Sequence, residues 1–91
     1  LGDVYKRQAH YILAAAYNAQ SKWDDAIASA NEALKYEKDD PAKKAKVYYE
    51  LGIAYAAKSD KENACASYKN AAIGPFQQAA EYQIKQVLKC E

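Results

Sequence analysis

The chain contains two copies of one segment. The segment that begins at Tyr11 (YILAAAYNAQSKWDDAIASANEAL) aligns without a gap with the segment that begins at Tyr49 (YELGIAYAAKSDKENACASYKNAA), 38 residues further on. At the same offset Leu13 matches Leu51, and small residues match small residues along both segments. A regular period of roughly 20–50 residues indicates a repeat architecture, in which each unit buries its apolar face against its neighbour. The repeat therefore predicts two similar units that stack on each other.

Each copy carries a signal for a second helix after its first one. Ser21 is followed three residues later by Asp24, and Ser59 is followed three residues later by Glu62. This is the spacing of a capping box, in which the serine side chain caps the start of a helix. Each copy is therefore predicted to be two helices joined by a tight turn.

Two Pro-containing pairs mark the limits of the second copy. Asp40 followed by Pro41 is typical of an N-cap and the first helical residue. Gly74 followed by Pro75 is typical of a helix end. With these limits the sequence predicts an all-α fold of about five helices. The predicted helices span residues 9–20, 22–38, 41–58, 60–73 and 76–89.

The first eight residues lie outside the repeat. The run DVYKRQ is the translation of a DNA sequence that resembles the transposon end used to tag libraries for sequencing. We therefore expect residues 1–8 to be an adapter-derived, non-native segment, with the natural sequence starting near Ala9. Segments of this kind are set aside in predicting a fold.

The charge balance argues against a nucleic-acid partner. Without Asp3, Lys6 and Arg7, the chain has 11 Lys and 11 acidic residues and no Arg. Nucleic-acid-binding domains usually have a basic excess in which Arg contacts phosphates and bases. No apolar run approaches the roughly 18 residues that predict a membrane-spanning helix. We therefore expect neither a nucleic-acid partner nor membrane insertion.

The sequence also lacks the common motifs of catalysis and cofactor binding. It contains no Gly-rich phosphate loop and no cluster of metal ligands, so we expect no enzyme and no cofactor. His10, the sole histidine, is interpreted as a packing residue. Cys65 is interpreted as a small buried apolar residue and Cys90 as a free thiol in the tail. Two isolated cysteines leave the redox compartment and the cellular location open.

The two copies resemble the tetratricopeptide repeat, a helix–turn–helix unit with the pattern W-x2-L-G-x2-Y … A-x3-F. The positions that carry the resemblance are Leu13, Ala14, Tyr17, Ala26 and Ala33 in the first copy, and Leu51, Gly52, Tyr55, Ala64, Tyr68 and Ala71 in the second. The period of 38 exceeds the family's usual 34 by about one helical turn. In this pattern Gly52 is predicted to face Ala64 and Ala71 where two helices cross closely.

The resemblance implies antiparallel helix pairs stacked as an α-solenoid. It assigns residues 9–40 to a first repeat, residues 41–74 to a second and residues 75–91 to a C-terminal capping helix. Repeat arrays need such a cap, whose outer face is polar. Its predicted apolar stripe consists of Phe76, Ala80, Ile84, Val87 and Leu88. The chain is then expected to be the C-terminal fragment of a longer array, of bacterial, metagenomic origin.

The resemblance also implies a function, which is to bind a protein or peptide segment in a concave groove. The first helix of each pair lines that groove, and the matching positions are Tyr11, Ala15, Asn18, Lys46, Tyr49, Ile53, Ala56, Tyr82 and Gln86. Tyr11, Tyr49 and Tyr82 are predicted either to form a row along the groove or to pack on adjacent helices. The alternative function is purely structural: a cap for a larger protein whose binding or catalytic part lies upstream. The truncated N-terminal face is a further candidate for self-association.

Overall fold

The structure, a computed structural model that describes residues 2–38 and 40–90, is all-helical. Five α-helices occur in these residues and no strand does, which confirms the predicted fold class. The helices are α1 (Gly2–Ala19), α2 (Trp23–Lys35), α3 (Pro41–Ala57), α4 (Lys61–Ala71) and α5 (Gln77–Tyr82). A 3₁₀ turn over Gly74–Phe76 leads into α5, and a π-helical turn over Gln83–Val87 continues it. Neighbouring helices pack in sequence order, α1 on α2, α2 on α3 and α3 on α4, and α1 also contacts α3.

The tight turn inside each copy is formed by a serine in the left-handed region. Ser21 has a φ of 61° and Ser59 a φ of 63°. The amide that follows each serine donates a hydrogen bond to the carbonyl five residues before it, over 2.8 Å and 2.9 Å. This is the Schellman arrangement that ends a helix. The predicted capping boxes are therefore wrong, because each serine terminates the preceding helix and does not cap the next one.

The N-cap of α3 is as predicted. The Asp40 carboxylate accepts a hydrogen bond from the amide two residues on, at 2.9 Å, and Pro41 is the first helical residue. At the start of α4 the cap is Asp60, whose side chain accepts from the Asn63 amide. No side-chain hydrogen bond caps α2 at Lys22. A side-chain hydrogen bond thus defines the start of α3, whereas α2 begins without one.

Helix α1 begins at Gly2, seven residues before the predicted start at Ala9. Arg7 lies in this added part and is buried, with Nη1 donating to Glu37 Oε2 at 2.7 Å. Removing one partner of a buried ion pair strongly destabilises a fold, because the other charge then stays buried without a partner. Residues 2–8 therefore belong to the folded unit, which corrects their exclusion from the first helix. Their adapter origin stays a prediction.

The core consists of two clusters that share Tyr48. The first cluster joins α1, α2 and α3 and is centred on Ala14, Ala30, Ala33, Val47 and Leu51. The second joins α3, α4 and the C-terminal segment and is centred on Tyr68, Ala71 and Ala80. Ala26 and Ala64 are also buried, while Tyr17 and Tyr55 are half-buried. Many of these residues are alanines, so the helix axes approach closely and dispersion contacts are short.

Leu13 is the signature position that the structure leaves outside the core. It is 43% exposed, whereas the equivalent Leu51 is 3% exposed. Leu51 is covered because it packs in one cluster with Ala30 and Ala33 of α2. No described helix precedes α1 to cover Leu13 in the same way. The prediction that both leucines are core residues is therefore wrong for Leu13.

Gly52 is buried and permits a close contact, and the nearest atoms belong to Tyr68. A Cβ atom placed on Gly52 would lie 2.7 Å from Cε1 of the Tyr68 ring. Carbon atoms normally pack at about 3.5–4.0 Å. The absent side chain therefore makes room for the Tyr68 ring.

Cys65 and Cys90 form a disulfide, which corrects the interpretation of Cys90 as a free thiol. Their Cα atoms are 5.9 Å apart, and the bond closes a sequence separation of 25 residues. Cross-linking distant residues stabilises a fold mainly by restricting the unfolded chain. The bond therefore fastens the C-terminal segment to α4.

The C-terminal segment lies over the second cluster, and its helix type changes along its length from 3₁₀ to α to π. Ala80 is fully buried, and Ile84 and Leu88 pack against the same cluster. Val87 belongs to the predicted apolar stripe but is 53% exposed, so it does not pack with the buried members of that stripe. The π-helical turn shifts the register of side chains after Tyr82, which separates Val87 from its expected neighbours.

Candidate functional site

The predicted groove residues of α1 and α3 meet where the two helices are in contact. Lys46 Nζ lies 4.6 Å from the centroid of the Tyr11 ring. A cation at this distance is attracted to the ring face. The pKa of Tyr11 is raised, first by burial and then by the negative charge of Glu50. Both Lys46 and Tyr11 remain half-exposed, so their contact forms part of the molecular surface.

Asn18 ties the same two helices together from below this surface. Its Nδ2 donates to the backbone carbonyl of Glu50 at 3.0 Å and to Glu50 Oε1 at 2.9 Å. Asn18 is buried, and its Oδ1 atom has no hydrogen-bond partner among residues 2–38 and 40–90. A buried acceptor without a partner costs free energy, so the two bonds made by Nδ2 must hold the amide in place. Asn18 therefore links α1 of the first copy to α3 of the second copy.

Tyr49 packs against the neighbouring helix and against the C-terminal segment. Its ring meets the Tyr68 ring edge-on at a centroid distance of 5.3 Å and the Phe76 ring at 5.5 Å. Aromatic pairs at these distances stabilise a core. Burial, followed by the influence of Tyr49 and Glu50, raises the pKa of Tyr68 to about 12. Of the two alternatives for Tyr49, these contacts match packing.

The remaining predicted groove residues divide into two groups. Ala15 on α1, with Ile53 and Ala56 on α3, is half-buried like Tyr11 and Lys46. Tyr82 and Gln86 lie on the C-terminal segment and are exposed. The predicted groove residues of α1 and α3 other than Asn18 are therefore partly accessible, while the three tyrosines occupy three different environments.

Glu50 is a residue of this surface that the groove prediction did not include. Its carboxylate accepts from Asn18, 32 residues away in the chain, and its charge influences both Tyr11 and Tyr68. In the sequence it precedes Leu51, and no local pattern links it to Asn18. His10 behaves as expected of a packing residue, because its ring stacks on Tyr36 at 5.9 Å.

Four shallow depressions on the surface lie away from this region. They are lined by residues at the α1–α2 turn, around the disulfide, at the end of α2 and along Tyr5–Ile12 of α1. None of these four contains Tyr11, Asn18 or Lys46.

Two further properties of residues 2–38 and 40–90 concern metal ions and membranes. In that part of the chain, no three His, Cys, Asp or Glu side chains are grouped so that they could bind a metal ion. None of its helices has both the length and the apolar character needed to cross a membrane.

No family model matches the chain, and comparisons with curated proteins and with solved structures find no match either. The resemblance to tetratricopeptide repeats therefore depends on the sequence pattern alone.

Proposed function

We propose that the chain is an interaction module built like a pair of tetratricopeptide repeats. In this proposal α1 with α2 and α3 with α4 are two stacked helix pairs, and the C-terminal segment caps them. The order of contacts supports this arrangement, because each helix packs on the next and α1 also reaches α3. The shared turn geometry at Ser21 and Ser59 supports it as well.

The proposed binding face is the surface formed by α1 and α3. The observation that carries the proposal is the pair of contacts between the first helices of the two copies, Lys46 with Tyr11 and Asn18 with Glu50. These contacts place an aromatic ring, an ammonium group and a carboxylate on one half-exposed surface. Together with Ile53, they offer both apolar and polar contacts to a ligand.

A ligand for this face is an extended segment of mixed polarity. Tyr11 provides large contact area with few rotatable bonds, so binding to it costs little side-chain entropy. Lys46 and Glu50 carry opposite charges, which gives no strong preference for an acidic or a basic ligand. Apolar contacts and hydrogen bonds therefore supply most of the affinity in this proposal, and binding is expected to depend only weakly on salt.

The test is a selection of peptides from a displayed random library, followed by affinity measurements on purified variants. We expect selected peptides to lose at least about tenfold in affinity, roughly 1.4 kcal/mol, with Lys46→Ala or Ile53→Ala. Asn70→Ala is the matched control, because Asn70 is exposed on α4. An equal loss in the control, or no loss in the two face variants, would contradict the proposed site.

The second candidate function, a purely structural cap, is favoured by the contacts of Tyr49 and by the disulfide. Both features fix the C-terminal segment to the rest of the chain without presenting it to a ligand. If no peptide is enriched in the selection, the structural function is preferred.

A further inference from the structure

A surface depression surrounds the disulfide between Cys65 and Cys90. It has a volume of about 580 Å³, and both cysteines line it. Cys65 is buried, whereas Cys90 is the more exposed of the two. Exposed disulfides are more readily attacked by a thiol than buried ones. The bond is therefore open to attack from solvent at its Cys90 end.

Two lysines border the same depression, one turn of α4 before Cys65 and one turn after it. They are Lys61 and Lys69, and both are exposed. Among the described residues that line the depression, Glu62 is the only acid, so their net charge is positive. Positive charge near a cysteine favours its thiolate, and a positive cleft raises the local concentration of anions.

The size and the apolar parts of the depression suit a small molecule. Its volume lies in the range of about 300–1,000 Å³ that ligand sites usually have. Ala66 lines it beside the cysteines, and the lysine stems are also apolar. A ligand with a short carbon chain and a carboxylate matches both the apolar lining and the lysines.

The first copy of the repeat shows that this position of the helix pair does not itself need a cysteine. The residue equivalent to Cys65 is Ile27, which packs against the first core cluster. A plain aliphatic side chain thus serves the same position where α2 packs in the stack. In the second copy the position instead carries a sulfur that is bonded to Cys90.

We propose that Cys65 and Cys90 form a reversible exchange site for a small anionic thiol. The incoming thiolate attacks Cys90 Sγ, and its electron pair forms the new S–S bond. The bond between the two cysteines breaks, and Cys65 leaves as a thiolate between Lys61 and Lys69. One disulfide is lost and one is formed, so the product is a mixed disulfide on Cys90 and no other oxidant or reductant is needed.

The fold holds Cys90 in place by contacts other than the disulfide, which makes the step reversible. The Cys90 amide donates a hydrogen bond to the Ile84 carbonyl at 2.8 Å, across a turn in which Lys89 has a φ of 53°. Ala80 of the same segment is fully buried in the second cluster. The freed Cys65 thiolate therefore stays close to the mixed disulfide and attacks it in turn, which releases the thiol. The site shares no residue with the proposed peptide-binding face, so either proposal can fail alone.

The choice of thiol is tested with two probes that carry the same reactive group. The folded chain is incubated with reduced glutathione or with its glycyl monoethyl ester, which lacks one carboxylate. At low ionic strength, and per thiolate, we expect glutathione to react about threefold faster than the ester, and high salt should remove the difference. Equal rates at low salt, or exchange that occurs only after the chain is unfolded in urea, overturn the proposal.

A lysine variant tests the source of this preference. Lys61→Gln should lower the ratio of the two rates by about half, because one of the two positive charges is lost. Lys43→Gln is the matched control, since Lys43 is also an exposed lysine in the first turn of a helix, α3. A ratio that falls equally in the control, or that Lys61→Gln leaves unchanged, overturns the assignment of the anion-binding role to this depression.

Peptide mapping tests the direction of attack and its reversal. After acid quenching we expect glutathione on Cys90 and a free thiol, open to alkylation, on Cys65. When free glutathione is removed at neutral pH, the disulfide of the chain should re-form and release the bound thiol at a rate independent of protein concentration. An adduct found mainly on Cys65, or one that persists after free glutathione is removed, overturns the proposed exchange.

Discussion

Replacing Gly52 by alanine tests the contact on which the second helix pair depends. The added methyl group would start 2.7 Å from Cε1 and 2.8 Å from Cδ1 of Tyr68. Since carbon atoms pack at about 3.5–4.0 Å, the methyl and the ring must separate by roughly 1 Å. The ring has little room to retreat, because Tyr68 is buried and Tyr49 stands edge-on against it.

Two effects of opposite sign determine the result. In a helix interior alanine is favoured over glycine by about 1 kcal/mol. Overpacking a core by one or more carbon atoms typically costs about 1–3 kcal/mol. Because the clash is with a confined ring, we expect the cost to prevail and Gly52→Ala to lower the free energy of unfolding by about 1 kcal/mol. Helix propensity alone predicts an increase of similar size.

Equilibrium denaturation in urea measures the difference. Gly2→Ala serves as the control, because no atom lies within 4 Å of the position that its methyl would occupy. We expect the control to be neutral or slightly stabilising. A Gly52→Ala variant that gains about 1 kcal/mol would show that the ring does not occupy the space next to Gly52.

The first copy suggests a compensating change. Its residues equivalent to Gly52 and Tyr68 are Ala14 and Ala30, which are both fully buried in one cluster. Combining Gly52→Ala with Tyr68→Ala reproduces that pair in the second copy. Tyr68→Ala alone leaves a cavity, and an added methyl group fills part of it. We therefore expect the free energy of unfolding of the double variant to exceed the value predicted by adding the two single effects by about 1 kcal/mol or more.

Two further predictions concern stability. Cys90→Ser should lower the free energy of unfolding by about 3–4 kcal/mol in denaturation experiments, because the disulfide with Cys65 closes a loop over a separation of 25 residues; an unchanged midpoint would show that the bond does not form. Since burial raises the pKa of Tyr68 to about 12, its phenol stays neutral in the folded chain while the unfolded chain ionises above pH about 10. Stability should therefore fall as the pH rises from about 10 to 12, by up to roughly 2–3 kcal/mol, and Tyr68→Phe should lack this part of the decrease. Parallel curves for the two proteins would refute the burial of the phenol.

The helix content and the order of the helices could be predicted from the sequence, since they depend on local signals and on the repeat. Asp40 and Pro41 define the start of α3 by local hydrogen bonding and fixed φ. The serine turns were misinterpreted because Ser-x-x-Asp or Ser-x-x-Glu is compatible both with a capping box and with a serine that ends the preceding helix. The structure has the second arrangement, in which hydrogen bonds satisfy the carbonyl groups at the end of the first helix.

Other features depend on contacts that a local pattern does not contain. Leu13 is exposed because of which helices lie beside α1. The sequence around Leu13 resembles the sequence around Leu51 in α3, so the sequence of the helix itself does not reveal the difference in exposure. The disulfide depends on how the chain after Gly74 folds back, which in turn depends on the 3₁₀ and π-helical turns. Each of these outcomes is set by tertiary packing.

The contacts between α1 and α3 could be predicted only in part for the same reason. The family resemblance supplied Tyr11, Asn18 and Lys46, which the structure brings together. Glu50 was missed because its contact with Asn18 joins two copies of the repeat, and no rule based on spacing within one helix can find it. Tyr49 shares the register of Tyr11, yet its contacts differ because Tyr68 and Phe76 lie beside it, whereas the equivalent residues of the first copy are Ala30 and Lys38.

Chemical-shift mapping tests the central proposal most directly. A ¹⁵N-labelled chain would be titrated with a peptide selected from the library, and the backbone amide signals would be followed residue by residue. The proposal predicts the largest shifts on α1 and α3, around Ala15, Asn18, Lys46 and Ile53, with little change on the outer residues of α2 and α4. Shifts confined to α2 and α4 would contradict the proposed binding face.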